Sequence, residues 1–294
     1  MNEASISRTA APAPPYDTFA SGDGLLAYRD AGPRDGSPLV LLHSGFVDHT
    51  QFDNLIPGLV AEGHRVITPD ARGHGFSANA TRPFRQADDL AALLRHLGLD
   101  GPSTLVGVSM GALIAVDTAI EHPELVGALV VSGRGIGEPD LGDPWSAALQ
   151  RAQTDALTTG DIPGWLDGFV QWAAGPSRTL ADIDQDIIRH IREMASRTLM
   201  KHTPDEPDHC VPVEDVAARA KDITVPVLAV DGALDAPGVL RTVTALMDIV
   251  PDGRSARLEG AGHYTTMEQP EAFTRILMDF LHEVRVQGVS ERPS

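Results

Sequence analysis

The chain has little of several features that mark other classes of protein. It contains one cysteine, Cys210, among 294 residues, which excludes an internal disulfide and any metal cluster built from several cysteines. Lysine and arginine number 23 against 41 aspartates and glutamates, giving a net charge of −18 at pH 7. Phosphate groups would be repelled by this charge. The composition therefore argues against a nucleic-acid partner and disfavours strongly anionic substrates.

Long apolar runs are also missing. No stretch approaches the roughly 20 apolar residues that span a bilayer. The first residues, MNEASISRTAAPAPPY, lack the continuous apolar stretch of a secretory signal. Their content of alanine, proline and serine predicts a flexible tail over residues 1–15. We therefore expect a cytoplasmic protein without a membrane partner.

Hydrophobic residues make up 42 % of the chain, enough for a sizeable core. Short apolar runs alternate with helical patterns. Strands are predicted at 25–28, 38–43, 65–69, 103–108, 127–131, 225–230 and 255–258. Helices are predicted at 50–62, 83–97, 109–121, 238–249 and 271–284. This alternation indicates the α/β class, with a mostly parallel sheet and helices on both faces. Because only a loop joins the first two strands, we expect them to form an antiparallel hairpin at one edge.

Residues 133–221 interrupt this alternation and are called the helical insertion below. They have helical patterns at 145–157, 163–173 and 183–199 and contain all three tryptophans, Trp145, Trp165 and Trp172. Ligands bind at the carboxyl ends of strands in α/β sheets, so we expect a cap there. The predicted domains are a core of 16–132 and 222–286, the cap of 133–221 and a C-terminal tail of 287–294. The tryptophans either line a pocket or hold the cap helices together.

The segment Gly107-Val108-Ser109-Met110-Gly111 matches the pattern G-x-S-x-G between a predicted strand and a predicted helix, the context in which this pattern forms a sharp turn. Glycines two residues either side of the serine relieve crowding in such a turn. The turn places the hydroxyl at a helix N-terminus, which favours developing negative charge. The simpler alternative is that Ser109 is an ordinary helix N-cap.

A serine becomes a strong nucleophile when a base removes its proton and a third group orients that base. Of the 11 histidines, most fall in predicted helices or polar linkers. His263 instead follows the last predicted strand, on a glycine-rich loop. Asp231 and Asp235 both follow the strand before it. Asp235 lies farther along the loop and is the preferred acid, with Asp231 as a structural or supporting acid.

With these residues in view, the chain resembles the α/β-hydrolases, a family that includes esterases, lactonases and perhydrolases. The resemblance extends over about residues 16–284 and is weakest in the helical insertion. Three further stretches carry it: LLHSGFVDHTQFD resembles the family's oxyanion loop, VITPDARGHGFS the loop after its fourth strand, and GAGHYTTMEQPEAF its histidine loop. The resemblance implies an eight-stranded α/β-hydrolase sheet. It also implies the order nucleophile, acid, histidine, which is Ser109, Asp235 and His263 here.

The resemblance also assigns roles to loop residues. It implies that the backbone N–H groups of Gly45 and Met110 form an oxyanion hole, and that Asp70, Arg72 and His74 fix the loop after the fourth strand. His43 is expected to organise its own loop. This chain departs from the family at Ser44, where glycine is usual. Its hydroxyl either touches the substrate or, as we expect, bonds its own loop. Phe52, where tryptophan is usual, is expected to pack in the core.

The predicted function is hydrolysis of a carboxylic ester or lactone of a small, largely apolar molecule through an acyl-enzyme on Ser109. The predicted pocket is apolar. Its candidate residues, besides Met110, are Phe46, Trp145, Trp165, Trp172 and Tyr264. No metal or organic cofactor is expected. Alternatives with the same triad are a carbon–carbon bond hydrolase, a perhydrolase, and an acyltransferase or cyclase of secondary metabolism. The alternative outside enzymes is a ligand-binding sensor. Either a monomer or a homodimer fits the sequence.

Overall fold

A single eight-stranded sheet organises the chain, of which the computed structural model describes residues 15–203 and 205–290, with side-chain surroundings described through residue 285. The strands lie in the order β1-β2-β4-β3-β5-β6-β7-β8. They are β1 (Asp17–Ala20), β2 (Leu25–Ala31), β3 (Ser37–Leu42), β4 (His64–Pro69), β5 (Ser103–Val108), β6 (Val126–Ser132), β7 (Val227–Gly232) and β8 (Gly253–Leu258).

From β4 to β8 all neighbouring strands are parallel. Strands β4 and β7 are buried along their whole length, as expected for parallel strands covered on both faces. In contrast, β8 at the edge of the sheet alternates in exposure. The mostly parallel α/β sheet predicted from the sequence is confirmed.

Ten α-helices are found in the described residues. They are α1 (Ile56–Ala61), α2 (Gln86–His96), α3 (Met110–Glu121), α4 (Pro144–Thr159), α5 (Ile162–Ala174), α6 (Gln185–Leu199), α7 (Val216–Arg219), α8 (Pro237–Met247), α9 (Thr265–Glu268) and α10 (Pro270–Ser290). Short 3₁₀ helices cover His49–Phe52, Pro123–Leu125, Leu180–Asp182 and Ala220–Asp222. The single helix predicted at 50–62 is thus a 3₁₀ turn followed by α1, which has proline in its first turn.

Two apolar layers enclose the sheet. Helices α2, α3 and α8 contribute to the core on one face, and α1 and α10 contribute to the core on the other. A third apolar cluster joins α5 and α6 to Val47 and Tyr264. This third cluster connects the helical insertion to loops that follow β3 and β8.

The predicted edge hairpin of 25–28 with 38–43 is wrong. Strand β4 lies between β2 and β3, and β2 pairs antiparallel with both β1 and β4. The edge hairpin is instead formed by β1 and β2, across a turn in which Ser21 N–H donates to Gly24 O. Strand β1 was not predicted, because DTFA is short and has one buried residue, Phe19.

The ends of the chain differ in part from the predicted tails. Residues 1–14 of the predicted N-terminal tail lie outside the described residues. Helix α10 continues to Ser290 and so extends into the predicted tail of 287–294. Within the described part of the chain, no helix has both the length and the apolar character needed to cross a membrane.

Candidate active site

Ser109 occupies a strained turn between β5 and α3. Its backbone has φ 53° and ψ −115°, a region that non-glycine residues rarely adopt and that costs of order 1–3 kcal/mol. Its N–H donates to the carbonyl of Ser132, at the end of β6, over 2.8 Å. Its side chain makes no capping hydrogen bond to α3. The alternative that Ser109 is an ordinary N-cap therefore does not describe this residue.

The two glycines of the pattern are required by close backbone approach. A side-chain carbon on Gly107 would overlap the carbonyl oxygen of Gly111, and one on Gly111 would overlap the carbonyl oxygen of Leu42. The first turn of helix α3 thus lies directly against the end of β3. This packing holds Ser109 between β3 and β6 at the carboxyl edge of the sheet.

His263 and Asp235 form a buried pair beside this turn. His263 Nδ1 lies 2.8 Å from Asp235 Oδ2, so the Nδ1–H donates to the carboxylate and leaves Nε2 as the basic nitrogen of the neutral ring. Burial favours the neutral imidazole, but the charge of Asp235 and this hydrogen bond outweigh it and raise the pKa of His263 above 6.5. The pair therefore has the tautomer and basicity that a general base needs.

The end of β6 connects the serine turn to the histidine pair. A side-chain carbon on Gly133 would lie 3.0 Å from His263 Nδ1 and 3.2 Å from Asp235 Oδ2. The preceding residue, Ser132, bonds the N–H of Ser109. Ser109, Asp235 and His263, predicted from the sequence as a triad, are thus gathered around one strand end.

Asp231 lies in the same region but has a different partner. Its Oδ1 accepts a hydrogen bond from Gly133 N over 2.9 Å. Burial raises its pKa to about 6, with a further contribution from the nearby charge of Asp235. Because Asp235 and not Asp231 bonds the imidazole, the geometry agrees with the order of preference reached from the sequence.

The loop after β3 brings Gly45 next to Met110. A side-chain carbon on Gly45 would lie 3.8 Å from Met110 Cβ. His43 fixes the peptide group that contains the Gly45 N–H: its Nδ1 lies 2.8 Å from Ser44 O, and its Nε2 accepts from Ala71 N over 2.9 Å. Since the C=O and N–H of a trans peptide point in opposite directions, His43 sets the direction of the Gly45 N–H.

His43 makes these two bonds only as the neutral ring protonated on Nδ1. Burial lowers its pKa, against the opposing charge of Asp70, and so keeps it neutral. The prediction that His43 organises its loop has this structural basis. The oxyanion hole of Gly45 and Met110 stays a prediction.

Ser44 and Phe52 are the two residues that depart from the family pattern, and the structure agrees with the prediction for Phe52 only. The hydroxyl of Ser44 is buried and has no hydrogen-bond partner in the described residues, so the predicted bond to its own loop is wrong. The backbone N–H of Ser44 instead donates to Gln51 Oε1 over 2.9 Å. Phe52 is fully buried in the core beneath the sheet, as predicted.

The loop after β4 is fixed by buried polar residues, as predicted. Asp70 accepts from the backbone N–H groups of His49 (2.7 Å) and Phe76 (2.8 Å). Arg72 donates to Asp89, and His74 Nδ1 donates to Arg72 O over 3.1 Å. These contacts account for the predicted structural role of Asp70, Arg72 and His74.

One group of possible metal ligands occurs in the described residues, where atoms of Asp48, His49 and Asp70 lie within 4.8 Å of one another. Each member already has a protein partner. Asp48 accepts from Thr50 N and Thr50 Oγ1 and is paired with Arg197, while His49 Nδ1 donates to Asp70. The guanidinium of Arg197 thus supplies the positive charge beside Asp48, and the group fits a structural role better than a metal site.

The predicted pocket residues fall into two sets. Phe46, which is 37 % exposed, contacts Trp165 with ring centroids 4.8 Å apart and Phe169 with centroids 5.7 Å apart. Tyr264 is buried with its ring edge-on to His263, 5.4 Å between centroids. Phe46, Trp165 and Phe169 thus form an aromatic cluster after Gly45, in which Phe46 is exposed and the other two rings are buried.

Trp145 and Trp172 form the second set. Their rings meet edge to face with centroids 5.2 Å apart, and Trp172 Nε1 donates to Gln153 Oε1 over 3.2 Å. The pair joins α4 to α5. Their contribution to a pocket remains a prediction, and the packing alternative is the one for which contacts are seen.

A buried polar network connects the loop after β3 and the end of β6 to the segment after His263. This network was not predicted from the sequence. Gln51 Nε2 donates to Thr266 Oγ1 over 3.3 Å, while its Oε1 accepts from Ser44. Thr265 Oγ1 lies 2.8 Å from Ser132 Oγ. Helix α9, which follows His263 directly, is thereby attached to the ends of β3 and β6. The one sequence signal was the polar run TTMEQ after the histidine.

Comparisons with known proteins agree with this fold. The model of the alpha/beta hydrolase family matches residues 39–276. The chain is 30 % identical over 270 residues to a Mycobacterium tuberculosis protein named "Putative non-heme bromoperoxidase BpoC", covering 88 % of this chain and 98 % of that protein.

Two further relatives are similar along most of their length. The 3-oxoadipate enol-lactonase 2 of Acinetobacter baylyi is 28 % identical, with 87 % of this chain and 93 % of the relative covered. A carboxylesterase structure from Nitrososphaera gargenis superposes with a TM-score of 0.72 at 23 % identity, covering 93 % of this chain and all of that one (100 %). The chain is therefore a member of the alpha/beta hydrolase family.

Proposed function

We propose that this protein is a serine hydrolase that cleaves a carboxylic ester or lactone with a largely apolar body. One observation carries the proposal: the strained turn of Ser109 and the hydrogen-bonded pair of His263 and Asp235 surround the same end of β6. A serine held at φ 53° without a capping hydrogen bond to α3 from its side chain is costly to maintain. Such strain is typical of a nucleophile held for attack.

The reaction begins when His263 Nε2 takes the proton of the Ser109 hydroxyl as the oxygen attacks the carbonyl carbon. Asp235 holds the imidazole in the required tautomer and stabilises the imidazolium that forms. His263 then gives the proton to the leaving alcohol oxygen, and the acyl group remains on Ser109. A water, deprotonated by His263, releases the acid and restores the serine.

The negative oxygen of each tetrahedral intermediate is bound by the backbone N–H groups of Gly45 and Met110. Each such donor contributes about 3 kcal/mol to transition-state stabilisation in enzymes of this type. Met110 is the first residue of α3, so its N–H has no partner within the helix. The hydrogen bonds of His43 and Gln51 to the Ser44 peptide groups keep the Gly45 donor in place.

An apolar substrate body is supported by the aromatic cluster of Phe46, Trp165 and Phe169, of which Phe46 is exposed. Phe46 follows the proposed donor Gly45, so the acyl or alcohol part of the substrate would lie against this ring. The net charge of −18 disfavours an anionic substrate. The similarity to an enol-lactonase supports cyclic esters as well as open ones.

A panel of p-nitrophenyl esters and lactones, with products identified by mass spectrometry, tests the proposal. Wild type should hydrolyse at least one class, and Ser109→Ala should lower kcat by about 10⁴-fold or more. Ser177→Ala, which removes an exposed serine of the helical insertion, serves as the control and should match wild type. Equal rates for Ser109→Ala and wild type would refute the mechanism.

A second candidate is perhydrolysis, favoured by the 30 % identity to the M. tuberculosis protein. Hydrogen peroxide would then replace water in the second step, so that the acyl group leaves Ser109 as a peracid. Addition of peroxide during ester turnover separates the two reactions. Peracid in place of the acid as the main product would favour perhydrolysis.

A further inference from the structure

The guanidinium group of Arg178, which follows α5 in the helical insertion, contacts both the histidine loop and the end of α5. Its Nη1 donates to Gly260 O over 2.8 Å and to Glu268 Oε2 over 2.7 Å. Its Nη2 and Nε donate to the carbonyls of Ala173 (2.8 Å) and Ala174 (3.2 Å). These two carbonyls end α5 and would otherwise lack helical partners. One side chain thus joins the last turn of α5 to the loop that carries His263.

Glu268 and Gly262 complete this contact from the side of the loop. Glu268 Oε1 accepts from the N–H of Gly262 over 2.9 Å, so the carboxylate bridges Arg178 and the residue before His263. A side-chain carbon on Gly262 would overlap Arg178 Nη2. The guanidinium therefore occupies the space next to the Gly262 Cα, one residue from the proposed base.

The same end of α5 also contacts the acid loop. A side-chain carbon on Gly175, which caps α5 at φ 68°, would overlap the carbonyl oxygen of Leu234, the residue before Asp235. Toward the other end of α5, Trp165 and Phe169 contact Phe46. Helix α5 thus contributes to the aromatic cluster near the proposed oxyanion donors. Its end also contacts the loop that carries Asp235 and the loop that carries His263.

We propose that Arg178 is a positioning residue that fixes the His263 loop to α5, so that substrate packing along α5 and the placement of the base depend on one another. The proposal rests on the proposed function of Ser109, Asp235 and His263 and assigns Arg178 no contact with substrate. Because Arg178 is bonded on both sides, its loss frees the loop without removing any residue of the triad. The expected result is a loss in turnover with little loss in binding.

The first test compares Arg178→Ala and Arg178→Lys with Arg192→Ala on a short ester such as p-nitrophenyl acetate. Arg192 forms an ion pair with Asp167, so both members of this pair lie within the same helical insertion, and Arg192→Ala is a matched control. We expect kcat to fall about 10- to 100-fold in Arg178→Ala, with KM changed less than threefold. Arg178→Lys, which keeps the charge, should recover part of the loss, and Arg192→Ala should match wild type.

The second test uses the pH dependence of kcat/KM. The charges that act on His263 are those of Asp235, Asp231 and Glu268, all of which raise its pKa. Arg178→Ala removes the positive charge beside Glu268. It should raise the apparent pKa of the acid limb by about half a pH unit. Glu268→Gln removes that charge and should move the limb downward. Opposite displacements show that both charges act on His263; the positioning role itself is reported by the first test, in which kcat falls at nearly constant KM.

Two results would overturn the proposal: kcat within twofold of wild type in both Arg178→Ala and Glu268→Gln, or acid limbs that move in the same direction. If Arg178→Ala does not fold, Arg178→Lys and Glu268→Gln are judged by the same quantities. Labelling of wild-type Ser109 by a fluorophosphonate distinguishes a failure of the proposed function from a failure of the role of Arg178. If wild type is neither labelled nor active, the proposed function fails; if it is labelled and the variants match it, only the role of Arg178 fails.

Discussion

The imidazole of His263 and the carboxylate of Asp235 meet over 2.8 Å, with both side chains buried and both on loops that follow neighbouring strands. This bond selects the tautomer with a free Nε2. Asp235→Asn would favour the opposite tautomer. Because Asp235 Oδ1 accepts from Ala236 N over 2.7 Å, the amide oxygen would keep that bond and the NH₂ group, a donor, would face Nδ1. We expect kcat to fall about 10³- to 10⁴-fold with the fold retained, measured by ester hydrolysis and circular dichroism.

Asp231→Asn is the control for this prediction. Asp231 bonds Gly133 and not the imidazole, so its variant should lose less than about tenfold in kcat. A larger loss in Asp231→Asn than in Asp235→Asn would mean that the acid has been wrongly assigned between the two.

The pH profile of kcat/KM should report the titration of His263. Its neutral form is the base, and its pKa is raised above 6.5 by Asp235 in spite of burial. Activity should therefore rise with pH through an apparent pKa above 6.5 and fall below it. Stopped assays of ester hydrolysis between pH 5 and pH 9 give this value. An acid limb centred well below 6.5 would contradict the assigned base.

Matched substitutions of His43 separate its two hydrogen bonds. Asparagine can place an N–H near the position of Nδ1 and so keep the donor to Ser44 O, whereas glutamine reaches the position of Nε2 near Ala71 N. If orientation of the Gly45 N–H is what His43 contributes, His43→Asn should retain about tenfold more kcat than His43→Gln. Equal kcat values in folded variants would count against that role.

Gly107→Ala should destabilise the protein strongly. The added methyl group would overlap the carbonyl oxygen of Gly111, which belongs to the backbone and cannot swing away. We expect a loss of about 3 kcal/mol in the free energy of unfolding, measured by urea denaturation. Gly101→Ala is the control, since nothing lies within 4 Å of the added carbon. A loss of the same size in Gly101→Ala would show that glycine replacement alone is responsible.

Acid should destabilise the fold in part through His74. Burial, with the nearby His43, lowers the pKa of His74 to about 3 from the model-peptide value of 6.5. Between these pH values the unfolded chain binds a proton that the folded chain does not, so stability falls as pH falls from about 6.5. His74 should remove about 1–2 kcal/mol of unfolding free energy between pH 7 and pH 5. Urea unfolding of His74→Gln should show a weaker pH dependence than wild type, and an unchanged dependence would contradict the prediction.

The central sheet could be predicted from the sequence because its strands are continuous apolar runs separated by helical patterns. Strand β1 could not, since DTFA buries a single residue and pairs only through the edge of β2. The position of β4 between β2 and β3 depends on a crossover through α1 that periodicity does not reveal. Local sequence pattern therefore predicted the strands and helices better than it predicted which strands lie side by side in the sheet.

The candidate site was predictable where chemistry requires a residue type at a turn. Ser109, Asp235 and His263 each follow a strand, and the glycines near Ser109 mark a tight turn. The supporting network of Gln51 and Arg178 was not predictable, because each bonds a segment distant in the sequence, such as Gln51 with Thr266. Side chains of this kind are assigned by contact and not by pattern.

Activation of Ser109 by His263 can be measured through its reaction with a fluorophosphonate. The folded protein is incubated with the reagent, and the modified peptide is identified by mass spectrometry. We expect one phosphonyl adduct on Ser109, formed at least about 10³-fold more slowly in His263→Ala. No adduct on the folded protein, or an adduct on another residue with Ser109 unmodified, would contradict it.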